Sequence, residues 1–236
     1  MPMLLRRREV WLPTLWGWLW LLAIVAALLA ALVFGIGGYL SRVDPARGRD
    51  GQGARTLVVE GWLDEDDLAQ AVAAVRRARY ERVLTTGGPI ESWNDARVWK
   101  TYAERAAGFL RAQGVAATAV PAPASAQDRT FLSAVKVREW AGRGGVTIDA
   151  LDLYSAGAHA RRSRALYRMA FGPGVEIGVL AAAPHGYDPR HWWTTSAGAK
   201  TVVIEGLSLI WTTCCFWPPP PDTHEERWGL PPSDPK

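Results

Sequence analysis

Short apolar segments alternate along most of this chain with longer segments that are apolar on one face only. Five segments are short and mostly apolar, as buried strands are: residues 56–60, 82–86, 117–120, 148–153 and 175–180. Between two of them, Leu68, Ala71, Val72 and Val75 recur at helical spacing and form one apolar stripe. Strands that alternate with helices predict an α/β domain, a Rossmann-like parallel sheet covered by helices on both faces.

Capping and stop residues predict where the helices begin and end. Asn94 or Asp95 begins a long helix that runs to about Gln113, where a glycine follows. Asp128 can cap the next helix, which begins at once after it. A last helical segment begins near Trp192.

The N-terminal part of the chain has a different pattern. Residues 10–41 carry no charge, and residues 15–34 alone supply the roughly 20 apolar residues that span a bilayer as a helix. We predict a cytoplasmic segment at residues 1–14 and a transmembrane helix at residues 15–39. A cleaved signal peptide has a shorter apolar region, although the alanines near Ala30 leave cleavage open. Three arginines at residues 6–8 favour the N-terminus inside, but three more follow the span closely.

The remaining boundaries follow from composition. Residues 40–55 are rich in glycine, proline and charged residues, and this composition predicts a linker. We predict the globular domain at residues 56–217. The apolar run at residues 206–217 is too short to cross a membrane, so we expect it to pack on the core. Residues 218–236 begin with four prolines, and this predicts an extended or disordered tail.

Charge and cysteine content narrow the classes of function. The net charge is +4, with no run of Lys and Arg interleaved with aromatic residues, so we expect no nucleic-acid partner. Cys214 and Cys215 are adjacent; such pairs rarely form a structural disulfide, and no metal-ligand spacing exists. His185 and His191 lack a third ligand, so we predict no metal site, and no motif identifies a cofactor.

Ligands of parallel sheets bind beyond the carboxyl ends of the strands, which makes the residues there candidates. They are Glu60, Gly87, Gly88, Arg129, Ser155, His159 and Arg162. The richest segment is residues 154–164, a strand end, a glycine-containing loop and the first turn of a helix. Free N–H groups at such a turn attract anions, and His159 and Arg162 share one helix face beside them. This predicts a pocket for a phosphate or a carboxylate.

Each candidate has a functional interpretation. His159 could be a general acid or base, Arg129 and Arg162 could hold an anion, and Glu60 could be a base or a ribose-type acceptor. The glycine pair at residues 87–88 could let a ligand approach the backbone.

Each also has a structural alternative. His159 could bind the backbone at its helix start, and the arginines could form surface ion pairs. Glu60 could pair with one of those arginines, and the glycines could serve the turn alone. No Walker loop, Gly-x-Gly-x-x-Gly fingerprint or Gly-x-Ser-x-Gly elbow is present, so Ser155 resembles no known nucleophile.

In the order and spacing of its motifs, the chain resembles the YdcF/SanA/ElyC family of bacterial envelope-associated proteins. The resemblance covers roughly residues 56–205 and rests on these segments: Val58-Val59-Glu60-Gly61, Thr85-Thr86-Gly87-Gly88, Glu104, Asp128-Arg129-Thr130, Ser155 and His159-Ala160-Arg161-Arg162. It adds Glu104 and Thr130 to the candidate site. It implies a Rossmann-like domain, often tethered to the inner membrane, with a role in envelope integrity, peptidoglycan or lipid-carrier metabolism. One relative binds S-adenosylmethionine, and the family as a whole implies no single reaction.

Three hypotheses follow. In the first, a single-pass protein of the bacterial inner membrane, with its domain in the periplasm, acts on a phosphorylated envelope precursor such as a polyprenyl-linked sugar. His159 would be the acid/base, Arg162 and Arg129 the phosphate clamp, and Glu60 or Glu104 the carboxylate partner. In the second, the domain binds a ligand or protein partner without chemistry. In the third, it binds a nucleotide or S-adenosylmethionine, which requires the opposite orientation in the membrane.

Overall fold

The computed structural model describes residues 12–48, 50–78, 80–90 and 98–229. Within these ranges it has five strands: β1 (Thr56–Glu60), β2 (Arg82–Gly87), β3 (Thr118–Pro121), β4 (Ala150–Ala156) and β5 (Glu176–Ala182). They form one sheet in the order β3-β2-β1-β4-β5, and each neighbouring pair is parallel. The predicted α/β class is therefore confirmed.

Helices cover both faces of this sheet. The described helices are α1 (Leu15–Leu40), α2 (Glu65–Arg77), α3 (Tyr102–Ala112), α4 (Arg129–Arg143), α5 (Ala160–Phe171), α6 (Ser196–Cys214) and α7 (His224–Trp228). Helices α2 to α5 supply the layers on the sheet. Alternate side chains of a strand point to opposite faces, so Val58 packs with α4 and α5 while its neighbours Leu57 and Val59 pack with α2 and α3. Each face thus has its own apolar core.

Helix α1 is long and apolar enough to cross a membrane. It has 26 residues, none of them charged, and Thr14 caps its N-terminus. Its last two turns contact the α/β domain. The Trp192 indole donates a hydrogen bond to the Val33 carbonyl (2.9 Å), and Trp193 packs edge-to-face on Phe34. The Trp192–Trp193 pair therefore joins α1 to the domain.

The segment predicted as a linker packs along the sheet instead. Asp44 pairs antiparallel with Val179 at the outer edge of β5, and the buried Ala46 donates its N–H to the Asp152 carboxylate (2.7 Å). An edge strand exposes unpaired N–H and C=O groups, and this segment satisfies some of them. The linker prediction missed this because the pairing is between residues far apart in the chain.

Two predicted boundaries are also wrong. Helix α3 begins at Tyr102, not at Asn94 or Asp95, which lie outside the described residues. Thr101 and Glu104 form a reciprocal capping box that starts the helix. The tail predicted to be disordered contains α7, whose buried Glu226 accepts a hydrogen bond from Arg138 of α4 (2.7 Å). This ion pair ties the segment to the domain as far as residue 229.

The two cysteines are joined, contrary to expectation. Cys214 and Cys215 form a disulfide at the C-terminus of α6, where the helix ends and adjacent side chains can approach. The apolar run at residues 206–217 is the second half of α6 and the turn after it. It packs only in part on the domain, since several of its large side chains are exposed.

Candidate functional site

A cleft of about 510 Å³ lies at the carboxyl ends of β1 and β2, beside the start of α5. The sheet order places the topological switch between β1 and β4, where open parallel sheets bind ligands. The residues that line the cleft are Glu60, Trp62, Thr86, Gly87, Gly88, Tyr102, Asp128, Arg129, Thr130, Ser133, His159, Arg162 and Glu205. Seven of the nine residues predicted from the sequence are in this set, and Ser155 and Glu104 are not.

Glu60 ends β1 with its carboxylate buried. It accepts hydrogen bonds from the hydroxyls of Ser155 (2.5 Å) and Ser163 (2.9 Å). Ser155 is fully buried behind it. The role of Ser155 is therefore to position the Glu60 carboxylate, and Glu60 forms no salt bridge to an arginine among the described residues.

His159 lies on the 3₁₀ turn Gly157–His159, immediately before α5. Its Nδ1 is 3.0 Å from the Glu205 carboxylate, and its Nε2 is 3.9 Å from that of Glu60. The Trp62 ring packs edge-to-face on the imidazole, with the ring centroids 5.0 Å apart. The imidazole is thus held between two carboxylates by side chains from three different parts of the chain.

Glu205 of α6 binds both His159 and Arg162. The Arg162 Nε donates to Glu205 (2.9 Å). Burial alone would raise the pKa of Glu205, but the hydrogen bonds and charges of His159 and Arg162 outweigh it and lower this pKa to about 2. Glu205 is therefore ionised throughout the physiological range.

An ionised Glu205 selects the tautomer of His159. A carboxylate only accepts hydrogen bonds, so His159 donates to it through Nδ1–H, and in the neutral ring Nε2 is then the unprotonated nitrogen. The Arg162 Nη2, which lies 3.0 Å from Nδ1, then turns to Glu205, 3.5 Å away. This leaves Nε2 available to accept a proton or a hydrogen bond.

Two buried polar atoms at the cleft lack a hydrogen-bond partner among the described residues. They are the Nε2 of His159 and the hydroxyl of Thr86. Such orphaned groups are uncommon because each costs the free energy of its lost hydration. A ligand in the cleft that offers donor and acceptor atoms would satisfy both.

The start of α5 lacks the usual cap. Six of the described helices have a side-chain cap from their N-cap residue: Thr14, Asp64, Thr101, Asp128, Thr195 and Thr223 supply them. The N-cap residues of α5 and of the 3₁₀ turn before it supply none, and within this turn the Tyr187 hydroxyl accepts a hydrogen bond from the Ala158 N–H. A helix start that carries an imidazole and a guanidinium is suited to an anion.

The glycine pair has a structural explanation. Gly87 has φ of +155°, and a Cβ there would lie 2.8 Å from the Cβ of Tyr102. A glycine is therefore needed for the contact between β2 and α3, which supports the structural alternative for Gly87. Gly88 is more open, because a Cβ there would come no closer than 3.8 Å to its nearest neighbour, the Ala122 carbonyl oxygen.

The loop before α4 supplies the third side of the cleft. Asp128 caps α4 by accepting from the N–H groups of Thr130 and Phe131, both at 3.0 Å. Its other oxygen is 4.0 Å from Arg162. The cap presents Arg129 and Thr130 to the cleft, as the sequence predicted.

The structure does not place Glu104 in the cleft, so its prediction as a catalytic carboxylate is corrected. Its side chain accepts hydrogen bonds from the backbone N–H groups of Lys100 and Thr101 and caps α3. Of the two carboxylates expected beside His159, Glu60 or Glu104, Glu60 lies 3.9 Å from Nε2, and Glu205 is a further carboxylate, 3.0 Å from Nδ1, that the sequence analysis did not name. One signal could have identified it: Glu205 is the only charged residue between positions 201 and 217, and a charge in an apolar helix needs a partner.

A group of potential metal ligands lies next to the cleft, which the sequence did not predict. Asp64, Asp67 and His185 each bring one ligand atom to within 4.8 Å of the others. Their mutual contacts account for the grouping, since Asp64 accepts from the Asp67 N–H and His185 lies 3.6 Å from the Asp67 carboxylate.

Comparison of the chain with protein-family models, with curated proteins and with solved structures finds no match. The resemblance to the YdcF/SanA/ElyC family thus rests on the short motifs alone. The function has to be argued from the cleft itself.

Proposed function

We propose that this protein is held in a bacterial inner membrane by α1 and binds a phosphorylated envelope precursor, such as a lipid-linked sugar, in the cleft of a periplasmic domain. The observation that carries the proposal is the pair of buried, unpartnered groups, the His159 Nε2 and the Thr86 hydroxyl. They face a cleft that also contains His159 and Arg162 at the start of α5. A singly protonated phosphate suits this set, because its oxygens accept from the Thr86 hydroxyl and from Arg162 while its P–OH group donates to the unprotonated Nε2.

The geometry around His159 also supports acid/base chemistry. A carboxylate on Nδ1 orients the ring, and the free Nε2 lies beside a second carboxylate, Glu60. This is the arrangement in which an imidazole takes a proton from, or gives one to, a bound molecule. We infer that His159 is the acid/base, that Glu205 orients it, and that Arg162 and Arg129 hold the phosphate.

Two adjacent threonines of β2 allow a matched test. Thr86→Val removes the orphaned hydroxyl, so we expect unchanged stability and a loss of phosphate binding. Thr85→Val is the control, because the buried Thr85 hydroxyl donates to the Ala103 carbonyl (2.7 Å). That variant should lose about 1–3 kcal/mol of stability and keep its affinity for phosphate.

Binding is measured by thermal unfolding of the full chain in nanodiscs, with inorganic phosphate, pyrophosphate and nucleotide sugars as probes. A probe at about 100 times its Kd should stabilise the wild type by roughly 2.7 kcal/mol, a shift of several degrees. No shift with any probe, from a folded wild type, would show that the phosphate proposal is wrong. A shift that survives in Thr86→Val would place the ligand elsewhere.

A second measurement separates catalysis from binding. Under the enzyme hypothesis, wild type hydrolyses a short polyprenyl phosphate or diphosphate sugar: water adds to the phosphorus, the P–O bond to the leaving group breaks, and phosphate or a sugar phosphate is released. We expect His159→Gln to bind the same substrate without turnover. Tight binding with no turnover by wild type would favour the non-catalytic alternative. An alkaline phosphatase fused after residue 236 is active only outside the cytoplasm, so its activity tests the orientation.

A further inference from the structure

Beyond Lys200, the side of α6 that faces away from the domain carries no charged side chain. The one charged residue of α6 after Lys200 is Glu205, and this carboxylate turns inward to His159 and Arg162. The outward side carries large apolar residues that are between 47% and 63% exposed: Val203, Ile204, Leu207, Ile210 and Trp211. We call these five residues the α6 outer face.

A surface helix of a water-soluble domain normally presents polar side chains to the solvent. The α6 outer face instead presents apolar side chains to the solvent over about two turns. Contiguous apolar surface of this kind marks contact with a membrane or a protein. Helix α2 shows the normal pattern, with its buried apolar stripe and its exposed charges. The α6 outer face therefore needs an occupant.

The position of α1 indicates which occupant it is. Helix α6 packs directly against α1, where Gly206 faces Ile36. At about 1.5 Å per residue, the 20 residues from Leu15 to Phe34 span roughly 30 Å, the thickness of the hydrocarbon core. Ile36 then lies about 3 Å beyond that core. The contact with α6 is thus at the boundary between acyl chains and headgroups.

We propose that the α6 outer face lies in the lipid bilayer at this boundary, beside α1. Amphipathic helices bind there with their apolar side buried by about 5–10 Å. Trp211 and Trp217 suit such a position, since tryptophan is enriched at the membrane interface. The domain then has two membrane contacts, a spanning helix and a helix that lies on the surface.

This placement gives a route from the bilayer to the cleft. A groove of about 400 Å³ runs beside α6 and is lined by Asp128, Arg162, Leu207, Ser208, Trp211 and Thr212. It shares Asp128 and Arg162 with the cleft, and Leu207 and Trp211 with the α6 outer face. If the proposed function holds, a lipid chain lies in this groove while its phosphate occupies the cleft. The membrane contact itself does not depend on that function.

The test uses the full chain in vesicles of phosphatidylethanolamine and phosphatidylglycerol, without ligand. In a Cys214→Ser/Cys215→Ser background, single cysteines replace Val203, Leu207 and Ile210 and carry the fluorophore NBD. Leu28→Cys in α1 is the control for lipid contact, and Ala69→Cys on the exposed side of α2 is the control for water. Three positions are labelled so that one misfolded variant does not remove the test.

Addition of brominated phosphatidylcholine distinguishes the outcomes, because bromine quenches only a fluorophore that touches lipid. We expect blue-shifted emission and quenching at all three positions nearly as strong as at Leu28. Emission like that at Ala69 would overturn the proposal. Blue-shifted emission without quenching would also overturn it, and would show that a second copy or another protein covers the face. Because no ligand is present, the result is independent of whether the cleft binds phosphate.

Discussion

The Glu205 carboxylate holds together the charged side chains at the centre of the cleft. It is 15% exposed and contacts both His159 and Arg162 at 3.0 Å or less. Without it, Nδ1 of His159 would lose the group that selects its tautomer, and the Arg162 guanidinium would keep only Asp128, 4.0 Å away, as a described partner carboxylate. Glu205 is thus a positioning residue, whose effect on a bound molecule passes through His159.

The low pKa of Glu205 makes a prediction about stability and pH. Its pKa is about 2 in the fold, against 4.5 for an unperturbed glutamate. An acid whose pKa is lowered by folding stabilises the fold above its unfolded pKa and loses that contribution as the pH falls through its folded pKa. The unfolding free energy of the wild type should therefore be higher than that of Glu205→Gln at pH 7 and pH 5, by up to about 3 kcal/mol. The difference should shrink between about pH 4.5 and pH 2.

Urea unfolding of both proteins at pH 7, 5, 4 and 3 measures this difference. Glu65→Gln is the matched control, because Glu65 is exposed in the first turn of α2. We expect that variant to differ from wild type by less than about 1 kcal/mol. A Glu205→Gln difference that stays constant down to pH 3 would contradict the ion-pair explanation and would point to packing instead.

The sequence predicted the residues of this site that lie in local motifs. His159 and Arg162 are three positions apart on one helix, and Glu60 and Gly87 end neighbouring strands, so local pattern brings them to one rim. Thr86, one residue before Gly87, was not predicted as a site residue. Glu205 was missed as a site residue because it is 43 positions from Arg162, and only packing of α6 brings the two together. Ser155 and Glu104 matched family-like motifs, but hydrogen bonding to Glu60 and to the α3 N-terminus explains them.

At the scale of elements, the contact between α1 and the domain depends on one glycine. A Cβ on Gly37 would lie 2.1 Å from the Pro189 carbonyl oxygen and 2.6 Å from the Trp192 ring. A Cβ on the next residue, Gly38, would meet nothing within 4 Å. These two adjacent positions of α1 therefore give opposite expectations for the same substitution.

We predict that Gly37→Ala separates α1 from the domain, at a cost on the order of 1–3 kcal/mol, because neither the backbone oxygen nor the buried indole can move freely. Gly38→Ala should be neutral or stabilise by up to about 1 kcal/mol through its higher helix propensity. Thermal unfolding in nanodiscs measures both. If both variants melt like wild type, the junction at Trp192 is not a fixed contact.

Sequence patterns predicted the strands and most helices because their signals are local. Each of the five predicted strands overlaps an observed strand, and α4 begins immediately after the predicted Asp128 cap. The misses are at places where partners are far apart in the chain: Asp44 pairs with β5, Ala46 binds Asp152 of β4, and α7 binds α4 through Glu226. A composition rich in proline, glycine and charge predicts a loop, but it does not show whether that loop finds a partner.

At the scale of the whole molecule, α1, α6 and the cleft form one arrangement. In the membrane placement proposed above, helix α1 fixes the distance of the domain from the bilayer. Helix α6 joins α1 to the charged centre through two adjacent residues, since Gly206 contacts α1 and Glu205 binds His159. In the proposed placement, a ligand held in the membrane reaches Arg162 along the groove that Leu207 and Trp211 line. A water-soluble phosphate would enter the same cleft from the other side.

This arrangement predicts that lipid-linked and soluble phosphates respond differently to one substitution. Ser208 is half-buried in the groove, so Ser208→Trp should fill it and raise the mole fraction of farnesyl phosphate needed for half-saturation about tenfold, a cost of about 1.4 kcal/mol. The affinity for inorganic phosphate should not change. Val203→Trp is the matched control, since Val203 lies on the α6 outer face but does not line the groove.

Thermal unfolding in nanodiscs measures both affinities. One titration increases the mole fraction of farnesyl phosphate, and the other increases the concentration of inorganic phosphate. An equal loss of affinity for both ligands would mean that the new indole disturbs Arg162 and the cleft, so that the groove has no separate role. Unchanged affinity for both ligands would mean that the lipid chain does not use the groove. A selective loss in Ser208→Trp, absent in Val203→Trp, requires that the phosphate and its lipid chain occupy two adjoining parts of one site.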